Sequence, residues 1–168
     1  DIDTADFKNV ISDDIFQKIV AVLRIAVPYT GMIVSTRESA ESRAKVLDLG
    51  VSQISGGSRT SVGGYTEEER HNETAQFDVS DERTLDEVVS WLLDLGYIPS
   101  FCTACYREGR TGDRFMSLAK SGQIANCCQP NALMTLKEYS EDYASAEVRT
   151  KIEKLIAAEI ERVPHPKI

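Results

Sequence analysis

Only two short segments of this chain have the character of β-strands, and this scarcity limits the folds that the chain can form. The first, 31–34, is apolar, and the second, 51–54, is bounded by apolar residues. Each lies between predicted helices, which is typical of buried strands in a parallel sheet. Two parallel strands do not make a stable sheet by themselves. We therefore expect both strands to belong to a larger sheet whose other strands lie outside this chain.

Helical periodicity surrounds these strands. A first helix after Ser12, closed by Pro28, is predicted from a stripe of apolar positions: Ile15, Phe16, Ile19, Val20 and Leu23. A second helix is predicted over 38–49, ended by Gly50. A third begins at a capping box formed by Thr84 and Glu87 and stops at Gly96. Further helices are predicted at about 113–120, 135–143 and 146–163, the last with an inward face of Val148, Ile152, Leu155, Ile156 and Ile160.

Composition and charge exclude several classes of function. A chain of 168 residues with 42% hydrophobic content can bury a core. The net charge of −8 argues against binding to nucleic acid or to an anionic membrane, because both need a basic surface. The longest apolar stretch, 19–27, is interrupted by Arg24 and is too short to span a bilayer. With no leader pattern at the start, we expect a cytoplasmic protein, in which cysteines are more often ligands than disulfides.

Three cysteines form a frame that is typical of a metal site. Cys102 and Cys105 are three positions apart, and Cys128 follows after twenty-two intervening residues. The first two can bind one metal centre from a single turn, and we expect the third to come from a distant loop. Three thiolates would leave one iron of a four-iron cluster without a cysteine ligand. A zinc site is an alternative, with Cys127 as the candidate fourth ligand, and buried thiols or a disulfide without a metal are another.

The segments around these cysteines resemble a known family. Cys102-Thr-Ala-Cys105 with the residues to Met116, and the segment 128–139, resemble the C-terminal cluster domain of the HydG family, the radical-SAM tyrosine lyases of [FeFe]-hydrogenase maturation. The segments 35–38 and 54–65 resemble the end of the barrel in that family and in its thiamine-pathway relative. The cysteine frame favours the HydG family, because the thiamine-pathway relative lacks it. The resemblance covers nearly the whole chain.

The resemblance also implies a fold, in agreement with the shortage of strands. We expect an α/β chain: the C-terminal part of a radical-SAM (β/α)8 TIM barrel with its seventh and eighth strands, at 1–96, followed by a mainly helical iron–sulfur cluster domain at 97–168. The Cys-x3-Cys-x2-Cys loop that holds the first cluster of such enzymes is absent from the sequence, which begins at Asp1. We therefore expect a fragment that begins after the sixth strand and packs against the N-terminal part of the same barrel.

The chemistry implied by the resemblance involves two clusters. S-adenosylmethionine and a first [4Fe-4S] cluster, both bound by the missing N-terminal part, start the radical cleavage of tyrosine to p-cresol and dehydroglycine. An auxiliary [4Fe-4S] cluster with an additional labile iron then yields carbon monoxide and cyanide for the hydrogenase H-cluster. The resemblance implies that Cys102, Cys105 and Cys128 hold this auxiliary cluster, with Cys128 chosen over Cys127 by register within the family pattern.

The same resemblance predicts partners and leaves an alternative function open. Tyrosine and other hydrogenase maturation proteins are the expected partners, and the fragment alone is expected to be inactive. The alternative is a non-catalytic domain that binds and transfers an iron–sulfur cluster, or that binds zinc.

Two polar residues follow the first strand, at the end where the catalytic groups of barrel enzymes lie. These are Ser35 and Arg37. An arginine can bind a carboxylate through two parallel N–H groups, and the resemblance implies that both residues bind the tyrosine substrate. An ion pair of Arg37 with Glu38 or Glu41 is the structural alternative.

Other candidate residues allow both a functional and a structural interpretation. The Gly56–Gly64 loop could approach a ligand through backbone amides or could form a tight crossover. Arg107, Arg110 and Arg114 could moderate the charge of a cluster or form a solvated face. His71 lies in an acidic segment, where we expect it to be exposed.

Overall fold

The described part of the chain is mixed helical with two short strands. The computed structural model describes residues 11–28, 30–66, 77–103 and 113–163, with only the backbone of 113–115. In these ranges the elements follow in the order α1 Asp13–Ala26, β1 Ile33–Val34, α2 Ala40–Asp48, β2 Gln53–Ile54, α3 Leu85–Asp94, α4 Asp113–Lys120, α5 Ile124–Asp142 and α6 Ala146–Ile160. The helix–strand alternation of the first half is as predicted. The described ranges contain a two-stranded sheet and not a complete barrel.

The two strands pair in parallel, and their registered partners are Ile33 with Gln53 and Val34 with Ile54. Val34 is buried, whereas Ile33, on the opposite face, is 67% exposed. The sheet therefore covers its apolar side chains on one face only.

An arginine fixes the first helix against the helix–strand unit that follows it. Nε and Nη2 of Arg24 donate to the carbonyl of Gly50 at 3.0 and 2.6 Å, and Nη1 donates to the carbonyl of Thr30 at 2.8 Å. Gly50 has a φ of 97°, a backbone conformation that residues other than glycine rarely adopt. This confirms Gly50 as the end of the second helix, and one guanidinium joins the end of α1 to the turns before β1 and before β2.

The first helix is present as predicted, and much of its apolar stripe is exposed. Val20 is buried, but Ile15, Ile19 and Leu23 are 49%, 42% and 48% exposed. Within the described residues α1 packs mainly against α2, which leaves these three side chains largely uncovered.

Two hydrophobic cores organise the chain. The first combines Val20, Val34, Val46 and Val51 around the strands. The second combines Val89 of α3 with residues of the last two helices, namely Leu136, Tyr139, Val148 and Ile152. The predicted capping box of α3 is present, with Thr84 Oγ1 accepting from the Glu87 backbone and Glu87 accepting from the Thr84 backbone. The capping box thus stabilises the first turn of helix α3, which contributes Val89 to the second core.

Helix α5 differs most from its prediction. It begins at Ile124 rather than near 135, so Cys128 lies on a helix and not on the expected loop. Pro130 lies inside this helix and cannot donate a backbone hydrogen bond. The side chain of Asn131 stabilises the turn around this proline, since its Nδ2 donates to the carbonyl of Cys127 at 2.8 Å. The helix therefore continues through a residue that usually ends one.

Helix α6 follows its prediction with two corrections. Ser145 caps it, with its Oγ accepting from the Val148 backbone at 3.4 Å, and Val148 and Ile152 are buried. The helix ends at Ile160 instead of 163, and Ile160 is 59% exposed rather than inward. In the described part of the chain, no helix combines the length and apolar character needed to cross a membrane.

Candidate functional site

The segment that carries Cys102 is docked against helix α5. The backbone N–H of Phe101 donates to Oγ1 of Thr135 at 3.2 Å, and the ring of Phe101 stacks on Tyr139 with centroids 4.9 Å apart. Ser100 Oγ accepts a hydrogen bond from the Cys102 backbone at 3.3 Å. The side chain of Cys102 is half-buried. Its backbone position is therefore set by contacts of the two residues that precede it.

Cys128 lies on the same side of α5 as this docking point. Seven residues, close to two helical turns, separate Cys128 from Thr135, so the two residues share a face about 10 Å apart along the axis. Cys128 is half-buried, whereas Cys127 is exposed. At 100° per residue, Cys127 points away from that face.

The third predicted ligand lies outside the described residues. Cys105 falls in the range 104–112, together with Arg107 and Arg110, and the side chain of Arg114 and His71 also lie outside the described part. Among the residues that the structure describes, no group of three His, Cys, Asp or Glu side chains converges on one point. The described part of the predicted site thus consists of Cys102 and Cys128.

A buried tyrosine supports the Cys102 segment from below. Tyr139 is 6% exposed, and its hydroxyl donates to Oδ1 of Asp86 at 3.0 Å. Burial, and then the bond to Asp86, raise the pKa of Tyr139 well above its usual range. The phenol therefore stays protonated and remains a hydrogen-bond donor.

Ser35 and Arg37 occupy the predicted place beyond the end of β1. Both side chains are exposed, and Ser35 Oγ accepts from the backbone N–H of Arg37 at 3.3 Å. The guanidinium carbon of Arg37 lies 4.5 Å from the ring centroid of Phe77, a cation–π contact. Within the described ranges, Arg37 makes no ion pair with Glu38 or Glu41, and Glu41 pairs instead with Lys45 at 2.7 Å.

A buried ionic cluster holds the ends of the two strands, and Ser35 and Arg37 follow the first of these ends. Arg43 is fully buried and donates to the carboxylate of Asp81 and to the carbonyl of Ser55. Arg83 binds the same carboxylate at 2.8 and 2.5 Å. The carbonyl of Thr36 accepts from the backbone of Asp81 at 3.0 Å. The carboxyl ends of β1 and β2 are thereby held together by one cluster.

Electrostatics agree with this structural role. The hydrogen bonds from Arg83 lower the pKa of Asp81 below its usual value, against the effect of burial. Burial lowers the pKa of Arg43, and the carboxylate of Asp81 opposes that shift. Both groups therefore stay charged at neutral pH. Sequence reasoning missed this cluster. The only local signal was that Arg43 shares a helix face with Val46 and Leu47.

The glycine-rich loop has a structural role at its start. A Cβ on Gly56 would lie 3.1 Å from the Leu85 side chain, and one on Gly57 would lie 3.1 Å from the Leu85 backbone nitrogen. Gly57 also has a φ of 64°. These two glycines allow the loop to pass close to the start of α3, which favours the crossover interpretation for this part of the loop.

An apolar pocket of about 450 Å³ lies between β2 and α3 and reaches Cys102. Its walls include Ile54, Val88, Leu92 and Phe101. The described part of the chain thus leaves an apolar surface beside β2 uncovered.

These features, a parallel strand pair with covering helices and a helical segment with cysteines, define the class of the protein. The family model described as the biotin and thiamin synthesis associated domain matches residues 1–98, and the chain belongs to that family. No curated protein matches the chain. The crystal structure of HydG, a maturase of the [FeFe]-hydrogenase, is similar to this chain, with 52% sequence identity and a TM-score of 0.85.

The similarity to HydG extends over 98% of this chain and 35% of that chain. It confirms the resemblance to the HydG family, and specifically to its C-terminal part. The chain spans about a third of the length of the solved structure that it matches.

Proposed function

We propose that this chain is the C-terminal part of a hydrogenase maturase of the HydG type. In this proposal the complete protein is a radical-SAM lyase that cleaves tyrosine to p-cresol and dehydroglycine and yields carbon monoxide and cyanide for H-cluster assembly. The supporting observation is 52% identity to HydG over 98% of the chain, together with the frame of Cys102, Cys105 and Cys128. A cytoplasmic location and the action of other maturation proteins as partners belong to the same proposal.

The cysteines present fit an auxiliary [4Fe-4S] cluster. Thiolates are the usual protein ligands of such clusters, and two of the three proposed ligands are on neighbouring elements, the Cys102 segment and α5. When bound, the cluster with its labile iron would supply an iron coordination position free of cysteine, where small ligands can bind. The role of this chain would be to hold the cluster so that its open coordination position has a fixed orientation.

Zinc is less well supported than iron at this site. A four-cysteine zinc site would need Cys127 and Cys128 to reach one tetrahedral ion. The two residues are adjacent on helix α5, where side chains diverge by about 100°, and Cys127 is exposed whereas Cys128 is half-buried. Cys127 is therefore a poor fourth ligand.

We assign Ser35 and Arg37 to tyrosine binding. The guanidinium of Arg37 is exposed and has no carboxylate partner among the described residues. Its N–H groups can therefore donate hydrogen bonds to a substrate carboxylate. Its stacking on Phe77 restricts its motion without using its N–H groups. Ser35 supports the turn that carries it.

The (β/α)8 barrel is also part of the proposal. Exposed Ile33, the exposed apolar side chains of α1 and the pocket beside β2 all lie on the strand-bearing half of the chain. A parallel sheet is normally covered on both faces. An N-terminal part that continues the sheet, and that binds S-adenosylmethionine and a first [4Fe-4S] cluster, would cover these surfaces.

The first prediction tests the ligand set. In the complete protein, Cys102→Ala, Cys105→Ala or Cys128→Ala should each remove most of the iron of one reconstituted four-iron cluster, because each deletes a ligand. Cys127→Ala is the matched control and should retain it. Iron and sulfide analysis after anaerobic reconstitution is the measurement. Equal losses from Cys127→Ala and Cys128→Ala would show that the proposed register is wrong.

The same variants separate catalysis from mere cluster binding. Cys102→Ala should still form p-cresol, since tyrosine cleavage depends on the first cluster, while carbon monoxide trapped by a haem protein should disappear. A domain that only binds and transfers a cluster would give neither product in the parent protein. Failure of the parent to produce p-cresol from tyrosine would therefore favour that alternative.

A further inference from the structure

A hydroxyl group on α5 holds the segment that carries Cys102. The hydroxyl of Thr135 can donate its single hydrogen to the carbonyl of Asn131 at 2.9 Å or to that of Ala132 at 3.2 Å. The hydroxyl oxygen can still accept, and it does so from the backbone N–H of Phe101 at 3.2 Å. The hydroxyl therefore bonds to its own helix as a donor and to the Cys102 segment as an acceptor.

The ring of Tyr139 supports the same segment one turn further along α5. It stacks on Phe101 at a centroid distance of 4.9 Å and an interplanar angle of 15°. Its hydroxyl is anchored to Asp86 in the first turn of α3, and Asp86 also accepts from the backbone of Ser145 at 3.4 Å. Helices α3, α5 and α6 therefore meet beneath Phe101.

We infer that Thr135 and Tyr139 are positioning residues that set the distance between the thiolates of Cys102 and Cys128. Phe101 is bonded to α5 and immediately precedes Cys102, while Cys128 lies two turns earlier on the same helix face. Helix α5 thereby carries Cys128 and also holds the backbone of Phe101, the residue before Cys102. This inference rests on the proposed function for the identity of the bound group, but the backbone contacts are independent of it.

The decisive variant is Thr135→Val in the complete protein, with the ligands of the first cluster replaced so that only the auxiliary cluster remains. Valine keeps the branched shape but removes the acceptor of the Phe101 N–H. We expect iron loss to a chelator about three- to tenfold faster than in the parent, the range for one net hydrogen bond, and a changed EPR spectrum of the reduced cluster.

Thr150→Val is the matched control. The hydroxyl of Thr150 donates to the carbonyl of Ala146, four residues earlier in α6, at 2.9 Å. That bond copies the intrahelical bond of Thr135 without a Phe101 contact. We expect the parent rate of iron loss and the parent EPR spectrum from this variant.

Tyr139 offers a second, independent test. Tyr139→Leu removes the stacked ring and should accelerate iron loss. Tyr143→Leu, at an exposed tyrosine whose ring is tilted against that of Tyr139 with centroids 6.0 Å apart, should not. Tyr139→Phe keeps the ring and should have the smaller effect. These variants decide the matter if Thr135→Val does not fold.

The outcomes distinguish the inference from the proposed function. If the parent protein binds no auxiliary cluster, the proposed function fails, and amide exchange at Phe101 in the metal-free protein still tests the positioning role, with about three- to tenfold faster exchange expected for Thr135→Val. If the parent holds the cluster but Thr135→Val and Tyr139→Leu both release iron at the parent rate with an unchanged EPR spectrum, the inference is overturned and the proposed function stands.

Discussion

At the residue scale, the exposed guanidinium of Arg37 makes the sharpest functional prediction. Arg37→Ala in the complete protein should weaken tyrosine binding by roughly ten- to a hundredfold, since a charged hydrogen-bonded contact contributes about 1.5–3 kcal/mol. p-Cresol output at low tyrosine concentration should fall with it. Tyrosine affinity by calorimetry and p-cresol by chromatography are the measurements.

The control for Arg37 is Arg162→Ala, which removes an arginine that, within the described ranges, pairs with Glu159 near the end of the last helix. It should leave tyrosine affinity unchanged. Arg37→Lys should recover only part of the affinity, because lysine lacks the planar fork. An unchanged affinity in Arg37→Ala would exclude this residue from the substrate site.

A second prediction at this scale concerns acid stability. The folded-state pKa of Asp81 lies below its usual value, so its contribution to the free energy of unfolding is complete above the pKa of the unfolded state, about 4. It is lost as the pH falls through the folded pKa. Asp81→Asn should therefore lower the urea midpoint of the complete protein near neutral pH, and the difference from the parent should shrink below about pH 4.

Glu41→Gln is the comparison for this experiment. The hydrogen bond from Lys45 also lowers the pKa of Glu41, but that pair is exposed. Exposed pairs contribute little because water screens them, so the variant should follow the parent at every pH. If Asp81→Asn follows it too, the buried cluster does not stabilise the fold.

The buried cluster of Arg43 and Asp81 could not be predicted from the sequence, unlike the positions of the two candidate substrate-binding residues. The positions of Ser35 and Arg37 after β1 were predictable, since they follow a recognisable strand. The partner of Arg43 was not, because Asp81 is 38 residues away and no local periodicity links an α2 residue to a loop before α3. Long-range polar pairs depend on the packing of elements, which a single sequence does not specify.

At the element scale, helix starts were predicted where side-chain chemistry marks them. The capping box at Thr84 was recognised because both of its members are local. The start of α5 was missed, because Pro130 indicates a helix end. The early turns of α5 make a contact that no local pattern shows, since Nε2 of Gln129 donates to Glu159 of α6 at 3.0 Å.

The capping box supports a prediction for α3. Thr84→Ala should reduce the stability of this helix by about 1 kcal/mol, because it leaves the backbone N–H of Glu87 without its side-chain acceptor. Faster amide exchange within Leu85–Asp94 would measure the effect. Thr84→Ser retains the oxygen and should behave like the parent; equal exchange in Thr84→Ala and the parent would mean that packing alone holds the helix.

At the scale of the whole molecule, the exposed apolar side chains predict dependence on a larger body. The isolated chain should be poorly stable and should bind a hydrophobic dye, because Ile15, Ile19 and Ile33 face solvent. In the complete protein, Ile15→Gln should destabilise the fold if the N-terminal part covers α1. Ile160→Gln, at a residue exposed on α6, is the control and should be neutral.

Thermal melts of the isolated chain and of the complete protein, each with these two substitutions, are the measurement. A cooperative melt of the isolated chain, together with a neutral effect of Ile15→Gln in the complete protein, would show that the fold is self-sufficient. The number of strands was sufficient to predict an incomplete sheet, but the sequence could not define which apolar surfaces remain uncovered, since that depends on where α1 packs.

The buried pairing of Arg43 with Asp81 also restricts how such a protein can evolve. A change of Asp81 alone leaves the buried guanidinium of Arg43 without this carboxylate, at a cost of about 3–5 kcal/mol, which is a large share of the stability of a typical domain. A change of Arg43 alone leaves Asp81 bound to Arg83. We therefore expect Asp81 to be replaced where Arg43 has changed first, or after gains in stability elsewhere.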